Sequence, residues 1–296
     1  MRRILLLVWL SMVTFMGAQA QEIVASGTCG GEGDGDNLKW ILTNDYVLTI
    51  NGHGIMKDYF VDTRDIEEPC NILPPWNKYR NLITFIQVES GVTSIGNYAF
   101  YNYDMFKTVV LPHGLKTIGN YAFFDCTNLE NIYFPNELTN IGRKAFKMCE
   151  SITSVTLPQG IETIEQGVFS DCYKLRCVVL PSGLINILDE AFRFCSRLEQ
   201  IDCLASTPPN CSIAAFEDVN TITCKLRIPK ESQQLYSVTE PWCRFKIEVI
   251  EDATGVNDVK INATNEDAEI YSLDGRRQSK ANRGVNIVSG RKVIVK

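Results

Sequence analysis

The chain has 296 residues, with 29 Lys+Arg against 35 Asp+Glu, eleven Cys and two His. An apolar share of 45% with 22% charged residues excludes wholesale disorder, and a net charge of −6 argues against a general nucleic-acid binder. Two imidazoles leave little room for histidine-based catalysis or a multi-histidine metal site.

Residues 1–20 read as a secretory signal peptide. Arg2 and Arg3 form a basic start, an apolar stretch opens at Ile4, and Ala18-Gln19-Ala20 supplies the small residues of a cleavage site before Gln21. No later stretch is long and apolar enough to span a bilayer, so no transmembrane segment is expected in the mature chain. The expected localisation is export: secreted, periplasmic, or on the exterior of a bacterial outer membrane. Removing the signal leaves 27 Lys+Arg against 35 Asp+Glu, a net charge of −8. That charge is uneven, because residues 273–296 carry seven Lys/Arg against Asp274 alone while 21–272 sum to −14.

Residues 21–78 open with a β-hairpin pattern. Leu38, Trp40 and Leu42 alternate, Asn44-Asp45 has turn chemistry, and Leu48 and Ile50 alternate back.

From 79 to 216 a period of 23 residues takes over. Phe106, Leu129, Ile152, Leu175 and Leu198 keep that spacing, as do Val109, Ile132, Val155, Val178 and Ile201. Prolines follow at 112, 135, 158 and 181, and an Ala/Val-Phe pair closes each unit, as at Ala122-Phe123 and Val168-Phe169. About six units fit. One unit cannot bury its apolar face alone, but stacked units share a continuous core, so the pattern predicts a solenoid. Each L-x-x-V-x-L is read as a strand ended by proline. Stacked about 4.8 Å apart, six such strands make a parallel sheet about 25 Å wide.

Residues 217–252 read as a closing segment, with a strand at Leu226–Ile228 and a short helix around Glu231–Val238. Residues 253–296 read as a small β tail, with a strand from Ile270, an Asp274-Gly275 turn, and strand alternation through Val285–Val295.

The unit L-x-x-V-x-L-P-x-G-L-x-x-I-G-x-x-A-F-x-x-C resembles the BspA-like leucine-rich repeats of bacterial surface proteins, in register from Ile83 to Phe216. Ser26-Gly27-Thr28-Cys29-Gly30, Trp40, Gly54-Ile55-Met56 and Pro75-Trp76 look like that family's N-terminal cap. Leu226 to Lys230 with Tyr236 and Trp242 look like its C-terminal closing unit. The tail resembles a truncated C-terminal sorting module of Bacteroidetes-type secreted proteins. The implied fold is mainly β with short helical turns: a leucine-rich repeat solenoid with a β-hairpin N-cap, a C-terminal cap and a short β tail. The implied role is adhesion, by binding host or microbial surface components.

Cysteines recur at 126, 149, 172 and 195, and they are expected to form a buried structural column rather than a metal ladder. If the compartment is oxidising, Cys29–Cys70 and Cys211–Cys224 are the expected disulfides. The Asp34-Gly35-Asp36 loop lacks the ligand set of a calcium loop. His53 and His113 have no triad partners in the sequence, and no metal or cofactor site is expected. The chain is expected not to be an enzyme.

The remaining candidate is a surface. Strand alternation turns two columns outward: Phe85, Thr108, Asn131, Ser154, Cys177 and Gln200, and Gln87, Val110, Tyr133, Thr156, Val179 and Asp202. They are mostly uncharged, with Phe85 and Tyr133 as aromatic anchors and Lys107, Glu130, Arg176 and Glu199 flanking. That composition suits a face that binds an extracellular protein. The alternative is a carbohydrate-binding module for host or dietary glycans. Such a module needs an aromatic platform, for which Phe85 and Tyr133 are too few.

Overall fold

The structure, a computed structural model, describes residues 22–60 and 72–250, and from the tail the backbone of four strands between 270 and 295. The chain winds as a solenoid of about seven turns at the predicted spacing. The first strand, Ile23–Thr28, pairs antiparallel with Leu38–Thr43, which pairs back on Val47–Gly52. This hairpin buries Leu38, Trp40, Leu42, Leu48 and Ile50. Sequence alternation placed the two inner strands but not Ile23–Thr28, whose side chains are almost all exposed and so leave no pattern to read.

From Val47–Gly52 onward every pairing along the array is parallel. The strand stacks on Phe85–Val88, then on Thr108–Val110 and Asn131–Ile132. A second parallel stack begins at Ser154–Thr156 and runs through Cys177–Leu180, Gln200–Cys203, Lys225–Pro229 and Lys246–Ile250. The expected single sheet is therefore two sheets. A minor ladder of two-residue strands accompanies each: Ser94–Ile95, Thr117–Ile118 and Asn140–Ile141, then Thr163–Ile164, Asn186–Ile187 and Asn210–Cys211. Both series stop at the same interface between coils. There the hydrogen bonds run along the outer turn, from Lys144 N to Gln166 O, Phe146 N to Val168 O and Met148 N to Ser170 O, each 2.9 Å.

The core is built one layer per coil. The phenylalanine of each closing pair stacks on that of the next, as Phe123 on Phe146 with centroids 5.2 Å apart and planes 6° from parallel. The spine continues through Phe169, Phe192 and Phe216. At one end Trp76 stacks on Phe100 at 5.7 Å, and at the other Trp242 meets Phe216 edge-on at 5.9 Å. Each indole N–H is satisfied by a main-chain carbonyl, Trp76 by Ala99 (3.1 Å) and Trp242 by Pro209 (2.9 Å). Buried donors need such partners, and here the partner also fixes the ring that shields the end layer.

Each outer turn uses two left-handed residues. One series is Tyr98, Tyr121, Lys144, Gly167 and Glu190; the other is Asn102, Asp125, Met148, Asp171 and Phe194. Only one of these ten is glycine, so the coil geometry is imposed on side chains that ordinarily avoid that region.

After Lys246–Ile250, the tail strands Arg277–Gln278, Ile270–Tyr271, Gly284–Val288 and Arg291–Val295 form an antiparallel sheet in that order. The signal-peptide segment and the Asp274-Gly275 turn lie outside the described residues.

Candidate binding faces

Parallel register brings the predicted outward columns together. Ser154, Cys177 and Gln200 align with Lys225 and Lys246, and Thr156, Val179 and Asp202 align with Arg227 and Glu248. In the first sheet Gln87 faces Val110 and Thr108 faces Asn131, while Phe85 and Gln87 pair back on Val47 and Thr49 of the hairpin. Tyr133 follows its strand and is half-buried.

The two sheets differ in chemistry. The outward side chains of Phe85, Thr108, Val110 and Tyr133 are half-buried and uncharged. The C-terminal sheet is laced with charge, which a reading confined to the repeat units left out. The Asp202 carboxylate accepts from Gln200 Nε2 at 2.8 Å and from Arg227 Nη1 at 3.1 Å. Burial raises the Asp202 carboxyl above its ordinary value, against the opposing pull of Arg227 and Gln200. The flanking charges pair with one another: Lys107 with Glu130 at 2.9 Å, and Arg176 with Glu199 through two hydrogen bonds of 3.0 and 2.9 Å.

The cysteine column is fully buried. Cys126, Cys149, Cys172 and Cys195 each donate the thiol to a phenylalanine carbonyl of the preceding coil: Phe100, Phe123, Phe146 and Phe169, at 3.2 to 3.3 Å. Burial pushes the Cys149, Cys172 and Cys195 thiols far up. Cys211 and Cys224 are both free, which corrects the expected pairing. Cys211 sits on the minor ladder beside Ile187, whereas Cys224 is buried just before the main-sheet strand Lys225–Pro229, so the fold sends them to different sides of the coil. Cys29 is also free and buried; Cys70, its expected partner, lies outside the described residues.

The polar loop at Glu32–Asn37 is organised by Asn37, which donates to His53 O at 3.1 Å and Ile55 O at 3.0 Å. Among the described residues no group of three or more His, Cys, Asp or Glu is placed to hold a metal ion. His113 lies 4.0 Å from Glu137 on an exposed turn.

A second cluster was missed by sequence reading. On the outer turns Tyr98 stacks on Tyr121 at 4.8 Å and 7°, and Tyr101 on Phe124 at 5.0 Å and 10°. Phe60 packs edge-on against Tyr98. Arg143 lies over the Tyr121 ring and donates to its hydroxyl at 3.3 Å. The signal was present: 98 and 121, like 101 and 124, are one period apart, but these positions carry no burial requirement to draw attention to them.

The family model for BspA-type leucine-rich repeats matches residues 78–199 in six copies. No curated protein matches the chain. A leucine-rich repeat protein from Eubacterium ventriosum is similar in structure, with 24% identity and a TM-score of 0.50, over 70% of this chain and 55% of that one. A leucine-rich cell surface protein from Faecalibacterium prausnitzii shares 27% identity over 69% of this chain and 55% of its own, with a TM-score of 0.48. The T. pallidum leucine-rich repeat protein shares 26% identity over 58% of this chain and 86% of its own, with a TM-score of 0.42. The chain thus spans about half the length of the first two structures it matches. Among the described residues no helix is long and apolar enough to cross a membrane. Period, coil geometry and family match agree: residues 78–199 are a leucine-rich repeat array of the BspA type.

Proposed function

We propose that this protein is exported and acts at a cell surface by binding another protein, of host or microbial origin, through the outward columns of its parallel sheets, and that it is not an enzyme. The observation that carries the reading is the pattern on the N-terminal sheet: Phe85, Val110 and Tyr133 half-buried and uncharged, with the Lys107–Glu130 ion pair flanking them. A partly desolvated aromatic centre inside a polar rim is where protein interfaces concentrate their energy. The signal-peptide pattern of residues 1–20 supports export.

The test is surface plasmon resonance of the mature chain against a panel of immobilised extracellular-matrix and bacterial surface proteins. A partner found there should lose about tenfold or more in affinity to Phe85→Ala with Tyr133→Ala. Binding by that double variant as tight as the wild type would remove the sheet face from the account.

A further inference from the structure

The outer turns of the first coils carry a surface separate from the sheet, and its chemistry is different. A shallow cavity of about 270 Å³ is lined by Asn97, Tyr98, Asn120, Tyr121 and Arg143. The stacked Tyr98 and Tyr121 rings give it an apolar wall. The amide oxygens of Asn97 and Asn120 accept from the main-chain N–H of Asn120 (2.6 Å) and Arg143 (2.8 Å). That fixes both amides at the cavity and leaves their Nδ2 groups as donors.

The cations here are also distinctive. Arg143 and Lys144 both sit 5.9 Å from the Tyr121 ring centre, and neither makes an ion pair with a carboxylate among the described residues. Cations at the next position along the outer turn do: Lys147 pairs with Asp171, and Arg193 with Glu217. The Arg143 guanidinium, fixed amide donors and an aromatic wall in one small cavity, with Lys144 beside it over the Tyr121 ring, define a ligand with an anion, hydroxyls and a C–H face. At about 270 Å³ the space is below the range of about 300–1,000 Å³ usual for drug-sized ligands, and it suits a single ring.

We propose that this cavity binds a carboxylate-bearing sugar at the end of, or within, a glycan. Arg143 takes the carboxylate in its planar guanidinium fork, with Lys144 adding charge; Asn97 and Asn120 donate to ring hydroxyls; the tyrosine rings pack on the C–H surface. The site stands independently of the protein-binding reading of the sheet. The carboxylate could come from a sialic acid or from a uronic acid, and the experiment separates them.

The full mature chain is passed by biolayer interferometry over four surfaces: sialyllactose on polyacrylamide, polygalacturonate, lactose on polyacrylamide, and dextran sulfate, a polyanion without carboxylates. Binding is expected to one of the first two, with lactose and dextran sulfate weaker. Replacing Arg143→Gln and Lys144→Gly installs the residues that the next coil already carries at Gln166 and Gly167, so the fold should tolerate them. Binding should fall by about tenfold or more. A second variant, Asn97→Asp, keeps the acceptor for Asn120 N but places a negative charge in the cavity, and should weaken binding likewise. Silence on both acidic sugars, an equal response to lactose, a dextran sulfate response as strong as either, or wild-type binding by both variants would each overturn the proposal.

Discussion

Lys147 and Asp171 meet at 2.9 Å across the one interface between coils where both strand ladders stop. Both side chains are mostly buried, and the carboxylate also accepts from Ser170 at 2.7 Å and Tyr173 at 3.2 Å. Burial alone would raise the Asp171 carboxyl, but the Ser170 and Lys147 hydrogen bonds and the ammonium charge outweigh it and hold it below its ordinary value of 3.8. A carboxyl lowered in the folded state stabilises above the unfolded value and loses that contribution as pH falls through the folded one. Asp171→Asn should therefore cost about 1–3 kcal/mol at pH 7 in urea unfolding. The gap to wild type should close below about pH 4, where the unfolded carboxylate takes up its proton. A gap unchanged down to pH 2 would mean the side chain acts by shape alone.

The Cys149 thiol reaches the Phe123 carbonyl at 3.2 Å inside the core. Cys149→Ala would leave that carbonyl unsatisfied and open a small void, at a cost of about 1–3 kcal/mol. Because burial raises the column thiols, iodoacetamide at pH 8 should modify half-exposed Cys243 in the native protein and spare Cys149, Cys172 and Cys195 until denaturant is added. Peptide mass spectrometry reads the order, and column labelling as fast as Cys243 would contradict the burial.

Met148 holds a left-handed φ of 63°, where its counterparts one coil to either side are Asp125 and Asp171. Short polar residues accept that region more readily than a long aliphatic one. Met148→Asn should raise stability by about 0.5–1 kcal/mol, seen as a later urea midpoint at unchanged slope. A destabilised variant would show that the methionine's packing outweighs its backbone strain.

Trp242 closes the spine, and its indole N–H is the partner of Pro209 O. Trp242→Phe keeps a ring against Phe216 but orphans the carbonyl, for about 1–3 kcal/mol. Hydrogen exchange should report the loss first in Lys225–Pro229 and Lys246–Ile250, the last strands of the sheet, and later in the central coils. Uniform loss along the array would place the cap's effect elsewhere.

Sequence made the core legible because burial repeats: a position that must be apolar in one coil must be apolar in all, so Phe123, Phe146 and Phe169 announce themselves. The cysteine column was readable on the same ground. The hairpin was legible through Leu38, Trp40 and Leu42, whose inner faces are buried while the outer ones are not. What the period cannot carry is anything that differs between coils. The halt in both ladders is such a difference, as are the Asp202–Arg227 pair formed with a strand outside the repeat and the tyrosine stack confined to the first turns. The disulfide expectation failed for a related reason, since closeness in sequence between Cys211 and Cys224 says nothing about which side of the coil each occupies.

The indole-terminated spine has an architectural consequence. Phe123, Phe169 and Phe192 each stack on one spine ring before and one after, while Phe146 also takes Phe134 edge-on and the ends are covered by Trp76 and Trp242. In the spine itself a ring is held by the ring before it and the ring after it, whichever coil it stands in. Copy number is thus a free dimension of the molecule: a whole coil can be gained or lost in evolution, lengthening or shortening the array, while both ends still find the ring they were shaped to cover.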